Sequence, residues 1–246
     1  TEIYTLSLHD ALPICVPKQI ISDHGTDVKS GIERFCQEYP STIFTYDITH
    51  KAATILKKEL NTDERWNQFT ALATSTRKKV QQTPLAAIAP PNQRSKARYM
   101  NVDTLINWGI ETLLLLDTQD HVACLECSPE YLVEHLWWLS DFRDDLHEWR
   151  DFIHIIKETE SFVKSQGIYQ DCVADLIELE TYKAATTRAK RIKSDLQFFL
   201  YQESLKADEN DRLLGSSEVI ESVFGKTKSL ERRSEERRVG KECRSR

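Results

Sequence analysis

The stretch from Gln19 to His50 constrains the fold of this chain most. It opens on a short apolar run, Gln19–Ser22, that ends in an acid, Asp23. A segment with helical spacing follows, Pro40 stops it, and a β-rich run from Ser41 to Tyr46 ends in Asp47-x-x-His50. The helix is read from Val28, Ile32, Phe35 and Cys36, which fall at i, i+4, i+7 and i+8 on one face, with Thr26 or Asp27 as the capping residue. In the second run Ile43 and Thr45 point to one side, and Thr42, Phe44 and Tyr46 to the other. A strand-to-helix unit aims the residues at its strands' carboxyl ends into the crevice where ligands bind. Asp23, Asp47 and His50 are therefore expected to face one pocket, with Asp47 or Thr49 also able to cap the next helix.

Past His50 the spacing is helical. Ala52, Ile55, Leu56 and Leu60, then Trp66, Phe69, Leu72 and Ala73, predict helix from Lys51 onward. Asn101 to Leu116 reads as an apolar helix, with Leu105, Trp108 and Leu115 among its buried residues. Ser128-Pro129-Glu130 is a helix start: a capping Ser, Pro in the first turn, then an acid. From there Leu132, Leu136, Leu139, Phe142, Leu146, Trp149, Ile153 and Ile156 run to Gly167. Cys172, Leu176, Leu179, Tyr182, Ala185, Ala189, Ile192, Leu196 and Phe199 repeat the rhythm beyond it. Two such arms joined at a glycine predict a long antiparallel helical hairpin. Its charged faces (Asp141, Asp144, Asp145, Glu148 and Asp151 on one arm, Arg188, Lys190, Arg191 and Lys193 on the other) read as solvated or interhelical pairs before they read as a DNA contact.

Charge is most lopsided between Glu64 and Asp103. No acid occurs between them, while Arg65, Arg77, Lys78, Lys79, Arg94, Lys96 and Arg98 are basic. Pro84, Pro90 and Pro91 make part of this region extended or loop. Basic residues beside an acidic pocket suit a nucleic-acid backbone, because phosphates need positive charge; the plain alternative is a solvated basic surface.

The acid after a strand, the Asp47-x-x-His50 after the next, and GSSEVIESVFGKTK at 215 to 228 together resemble the catalytic domain of DDE-type insertion-sequence transposases. Ile220, Glu221 and Phe224, with Lys228 seven positions after Glu221, are similar to the acid-helix signature of those proteins. Leu214 and Ser217 stand where some members carry Tyr and Arg. The resemblance covers roughly 15 to 60 and 215 to 230. It implies an α/β fold: a partial RNase H-like domain at 15–60, interrupted by a large all-α insertion at 61–214 that contains the long antiparallel helical hairpin, with a catalytic-Glu helix at 215–232. It implies metal-dependent DNA strand cleavage and transfer, with Asp23 and Glu221 as catalytic metal ligands for Mg²⁺ (or Mn²⁺), and His50 and Asp47 in support. Glu218, one turn before Glu221, competes for the helix-acid role. The DNA-binding residues would be Arg77, Lys78, Lys79, Arg94, Lys96, Arg98 and Lys228. The partners would be DNA, as transposon ends and target, with a homodimer as a further option. The family's first catalytic Asp belongs to a strand upstream of this stretch, so the fragment alone is expected to be inactive. Two metal ions about 3.5–4 Å apart clamp the attacking and leaving oxygens in such chemistry, which is why separated carboxylates must converge.

Both ends read differently from the rest. TEIYTLSLHDALPI at 1 to 14 and RSEERRVGKECRSR at 233 to 246 resemble translated sequencing-adapter read-through and are expected to be non-native. No apolar run reaches membrane-spanning length. Six cysteines without a framework spacing point to reduced thiols in a cytoplasm, and the transposase resemblance implies a bacterial, nucleoid-associated setting. Cys124-x-x-Cys127 beside His121 supplies too few ligands for a zinc site on its own. The net charge of −6 argues against a uniformly DNA-coating protein. The alternative from another class is a non-catalytic helical nucleic-acid-binding or interaction protein whose acids are surface residues.

Overall fold

The computed structural model describes residues 16–23, 25–93, 102–118 and 128–218. Strand β1 (Gln19–Ser22), helix α1 (Thr26–Glu38) and strand β2 (Ile43–Tyr46) form the strand–helix–strand unit. The strands pair in parallel, in the register Gln19↔Ile43 to Ser22↔Tyr46. Ile32 and Phe35 of α1 are buried, whereas Val28 is half exposed. Neither Thr26 nor Asp27 caps α1; Gly25 holds the cap position and the Asp23 carboxylate accepts its amide at 3.1 Å.

The remaining elements are helical: α2 (Ile48–Asn61), α3 (Glu64–Val80), a 3-10 turn (Pro84–Ile88), α4 (Val102–Thr118), α5 (Pro129–Leu136), a 3-10 stretch (Trp137–Phe142), α6 (Arg143–Gln166), α7 (Cys172–Glu178) and α8 (Thr187–Ser204). This corrects the expected α/β, RNase H-like class. The chain is mostly helical, and among the described residues the sheet has two strands only. The reason is visible at the outer edge of β2. Ile43 and Asp47 spend their amides on β1 (to Lys18 O at 2.9 Å and Ser22 O at 3.0 Å), so Phe44 and Tyr46 turn theirs outward. No strand meets them there among the described residues; Glu203 Oε2 accepts the Tyr46 amide at 3.3 Å, and Lys206 Nζ donates to the Phe44 carbonyl at 2.9 Å. Side chains at and just past the end of α8 thus occupy the Tyr46 amide and the Phe44 carbonyl, two of the groups that a further strand would have paired.

The long hairpin is also corrected, since both arms are broken. The first changes to 3-10 geometry at 137–142; the second is interrupted between α7 and α8, where Thr186 caps α8 by accepting the Ala189 amide. Helix α6 still packs along α8, and α4 lies on α6. Trp66, Phe69, Phe142 and Trp149 fill the space between α3, the 3-10 stretch and α6, with Trp66 edge-on to Trp149 at 4.9 Å. Thr62 and Asp63 split the predicted helix after Lys51 into α2 and α3; Asp63 accepts the Arg65 and Trp66 amides as the cap.

The Arg188 guanidinium lies among Glu59 (2.7 Å), Asp63 (2.9 Å) and Glu148 (2.7 Å), which come from α2, the α3 cap and α6. Arg191 adds a second bond to Glu59, and Asp63 also accepts the Trp149 indole N–H at 3.1 Å. Burial opposes the Arg188 charge, but the bonds to Glu59 and Asp63 outweigh it and raise its pKa above the ordinary arginine value. On the charged faces of α6 and α8, Asp145 (with Arg65), Glu148, Arg188 and Arg191 are thus in interhelical pairs, while Asp151 accepts the Ala185 and Thr186 amides.

After α8 the chain returns to the strands. Gly167, with φ of 76°, ends α6 in a conformation other residues adopt at a cost. Ile168 then exchanges two 2.8 Å backbone bonds with Leu213. This bridge sends residues 211–218 across the strand pair. Gly215 passes so close to α6 that a Cβ there would stand 2.1 Å from Val163.

Candidate functional site

Residues 211–218 form one wall of the candidate site. Lys18 pairs with Asp211 at 2.7 Å. The Gln19 carboxamide clasps the Leu214 backbone, donating to its carbonyl at 2.7 Å and accepting its amide at 2.9 Å. The Ile48 amide donates to the Gly215 carbonyl at 2.9 Å. The segment therefore runs from the start of β1 to the carboxyl end of β2.

At that end the sequence places two acids. Ser22 and Tyr46 are register partners, so Asp23 and Asp47 are the next residues on adjacent parallel strands. Their environments are opposite. Asp23 is exposed, and among the described residues its carboxylate accepts the Gly25 amide. Asp47 is 1% exposed and fully engaged: Oδ1 accepts the Thr49 amide (2.8 Å) and the His50 amide (3.3 Å), and Oδ2 accepts both the amide (2.6 Å) and hydroxyl (2.7 Å) of Ser217. Burial opposes its charge, yet the bonds from Ser217, His50 and Thr49 outweigh that and hold its carboxyl below the ordinary carboxylate value. Asp47 is thus the cap of α2 and the latch of the 211–218 segment. His50 sits exposed in the first turn of α2.

Beyond the latch, Glu218 pairs with Lys164 of α6 at 2.9 Å and lies 3.4 Å from the Thr49 hydroxyl. Lys164 also approaches Glu160 at 3.6 Å. Glu160 and Glu218 border a cavity of about 240 Å³ floored by Ala52, Leu56, Ile153 and Ile156, with the Lys157–Asp103 pair (2.9 Å) on its other side. Burial lifts the Glu160 carboxyl above its ordinary value; Lys164 works against the shift, and Glu218 and Asp47 add to it.

Glu221, Lys228, Arg94, Lys96 and Arg98 lie outside the described residues, as do Cys124, Cys127, His121 and both terminal stretches. The expected convergence of Glu221 with Asp23 therefore lies outside the described residues; Glu218, the last described residue before it, stands beside Thr49 and Lys164. Of the basic residues, Arg77 donates to the Pro90 carbonyl and tethers the loop after α3, while Lys78 and Lys79 are exposed in the last turn of α3, where cations favour the helix terminus. That helix packs on α2, α5 and the 84–88 turn. Among the described residues no group of three or more metal-ligating side chains assembles. Asp23 has the hard oxygen chemistry a divalent ion prefers, but a single carboxylate is too few ligands to hold one.

Sequence reading missed Glu160, Lys164 and Ser217. The Glu160–Lys164 pair carried a signal, since an acid four residues before a lysine on a helix is a favourable spacing. Ser217 carried none, because its partner is 170 positions away. Comparison of the chain with protein-family models, curated proteins and solved structures finds no match.

Proposed function

We propose that this chain is part of a DNA transposase of the DDE type, acting in metal-dependent strand cleavage and transfer, with Asp23 and Glu221 as carboxylates for Mg²⁺ or Mn²⁺. One observation supports it above the others: the segment leading into the acidic stretch 218–221 is tied by the Asp47–Ser217 bonds to the carboxyl end of the strand pair, one strand from exposed Asp23. Residues so far apart in sequence are brought to one edge by bonds at 211, 214, 215 and 217 along the wall. In this reading His50 stands at the rim, Lys228 meets a phosphate, and the partners are transposon ends and target DNA, engaged by a homodimer.

DNA would be met by Lys78 and Lys79, joined by Arg94, Lys96 and Arg98. The competing reading is a non-catalytic helical nucleic-acid-binding or interaction protein. It is favoured by the complete engagement of Asp47 as a cap and latch.

Fluorescence anisotropy on a random-sequence duplex tests the DNA part. Binding is expected to be weak and to fall with salt, and the Lys78→Ala/Lys79→Ala variant should flatten the slope of log K against log[salt] by about 2, one unit per lost phosphate contact. No binding at low salt, or an unchanged slope in the double variant, would remove this interface.

A further inference from the structure

Lys164 lies between two carboxylates that serve different parts of the fold. Glu218 belongs to the segment that closes the strand ends, and Glu160 belongs to α6 itself. The ammonium is 2.9 Å from the first and 3.6 Å from the second. Both acids border the same cavity, whose other charged groups are Asp103 of α4 and Lys157 of α6, already paired with each other at 2.9 Å. Asp47, at the head of α2, adds negative charge from behind but is spent on Thr49, His50 and Ser217. Lys164 is thus the cation shared by Glu160 and Glu218, and any charge on Glu160 both draws it from Glu218 and repels Glu218 directly.

We propose that Glu160, Lys164 and Glu218 form a proton-gated clasp that sets how firmly residues 215–218 are held against α6, and so positions whatever follows Glu218. With Glu160 neutral, Lys164 serves Glu218 alone and the clasp is closed. With Glu160 ionised, the ammonium is divided and the clasp loosens. The sign follows from the raised Glu160 value: its stabilising contribution is present at low pH and is lost as pH rises through a folded value above the ordinary 4.5. The clasp does not depend on the transposase reading, and its test uses no catalytic activity.

The test is amide hydrogen exchange of the 213–218 peptide in the full chain between pH 5 and 8, corrected for intrinsic rates and referenced to core amides of α6. Glu160→Gln should slow exchange at Ser217 and Glu218 about two- to fivefold at pH 7.5 and flatten its dependence on pH. Lys164→Gln should speed exchange by a similar factor, and Lys164→Arg should restore it. A Glu160 acting only as packing would give the opposite result in Glu160→Gln, with faster exchange and an intact pH profile. That outcome, or Lys164→Gln exchanging like the wild type, overturns the clasp.

Discussion

Replacing Arg188 by methionine is expected to lower the unfolding free energy by about 3 kcal/mol, the low end of the cost of removing one partner from a buried ionic cluster. The guanidinium is 29% exposed, which keeps the figure there. Three carboxylates from three elements, Glu59, Asp63 and Glu148, would be left facing one another, and Asp63 would keep only its bonds to the α3 amides and the Trp149 indole. The planar fork donates to all three at once and lies over the Phe152 ring at 5.0 Å. Lysine cannot reproduce that geometry, so Arg188→Lys should recover only part of the loss. Denaturant unfolding checks both variants; a loss under about 1 kcal/mol for methionine would mean that solvent screens the three carboxylates and the cluster contributes no more than an exposed ion pair.

Asp47→Ala should cost about 2–4 kcal/mol, because it removes a helix cap together with the charge-assisted bonds from the Ser217 amide and hydroxyl. Asp47→Asn separates the two roles. The carboxamide oxygen can still cap Thr49 and His50, but its nitrogen cannot accept from Ser217. The asparagine variant should therefore keep α2 and release the 211–218 segment, read as faster tryptic cleavage after Arg212. The Asp47 value is depressed in the fold, so its contribution is complete above the ordinary carboxylate value of 3.8 and disappears as pH falls through the lower folded value. Wild-type protein should accordingly lose more stability on acidification than Asp47→Asn does. Equal acid limbs, or unchanged cleavage at Arg212, would contradict the latch.

The strand–helix–strand unit was legible because its signals are local. Period-2 alternation at Ile43–Tyr46, helical spacing through Ile32 and Phe35, and the Pro40 break each act within a few residues. Ser128-Pro129-Glu130 marked the start of α5 for the same reason: the Ser128 hydroxyl accepts the Tyr131 amide. The broken hairpin arms were misread, although their spacing carried a warning. Leu136, Leu139 and Phe142 recur strictly in threes, the period of a 3-10 helix, as do Leu176, Leu179, Tyr182 and Ala185 across the gap between α7 and α8. An α-helix alternates threes and fours. The larger error, the expected α/β class, came from extending a two-strand signal to a whole sheet. What closes the edge of β2 is a pair of side chains, Glu203 and Lys206, more than 150 residues downstream, and no pattern near β2 announces them. The site was legible in its acids and not in their roles. Asp23 and Asp47 end strands as expected, but only tertiary contact with Ser217 turns Asp47 from a supporting site residue into a structural latch.

The proposed function requires Asp23 and Glu221 to share one divalent ion. Iron-directed backbone scission reads this without requiring catalysis. Fe²⁺ bound in place of Mg²⁺, with ascorbate and peroxide, cuts the chain where the ion sits. A shared ion predicts cuts near residue 23 and near residue 221 in the same sample, both suppressed by excess Mg²⁺ and both lost in Asp23→Ala. Cuts at one location only, or none that Mg²⁺ suppresses, would contradict a shared metal and leave the chain a helical protein whose acids are structural.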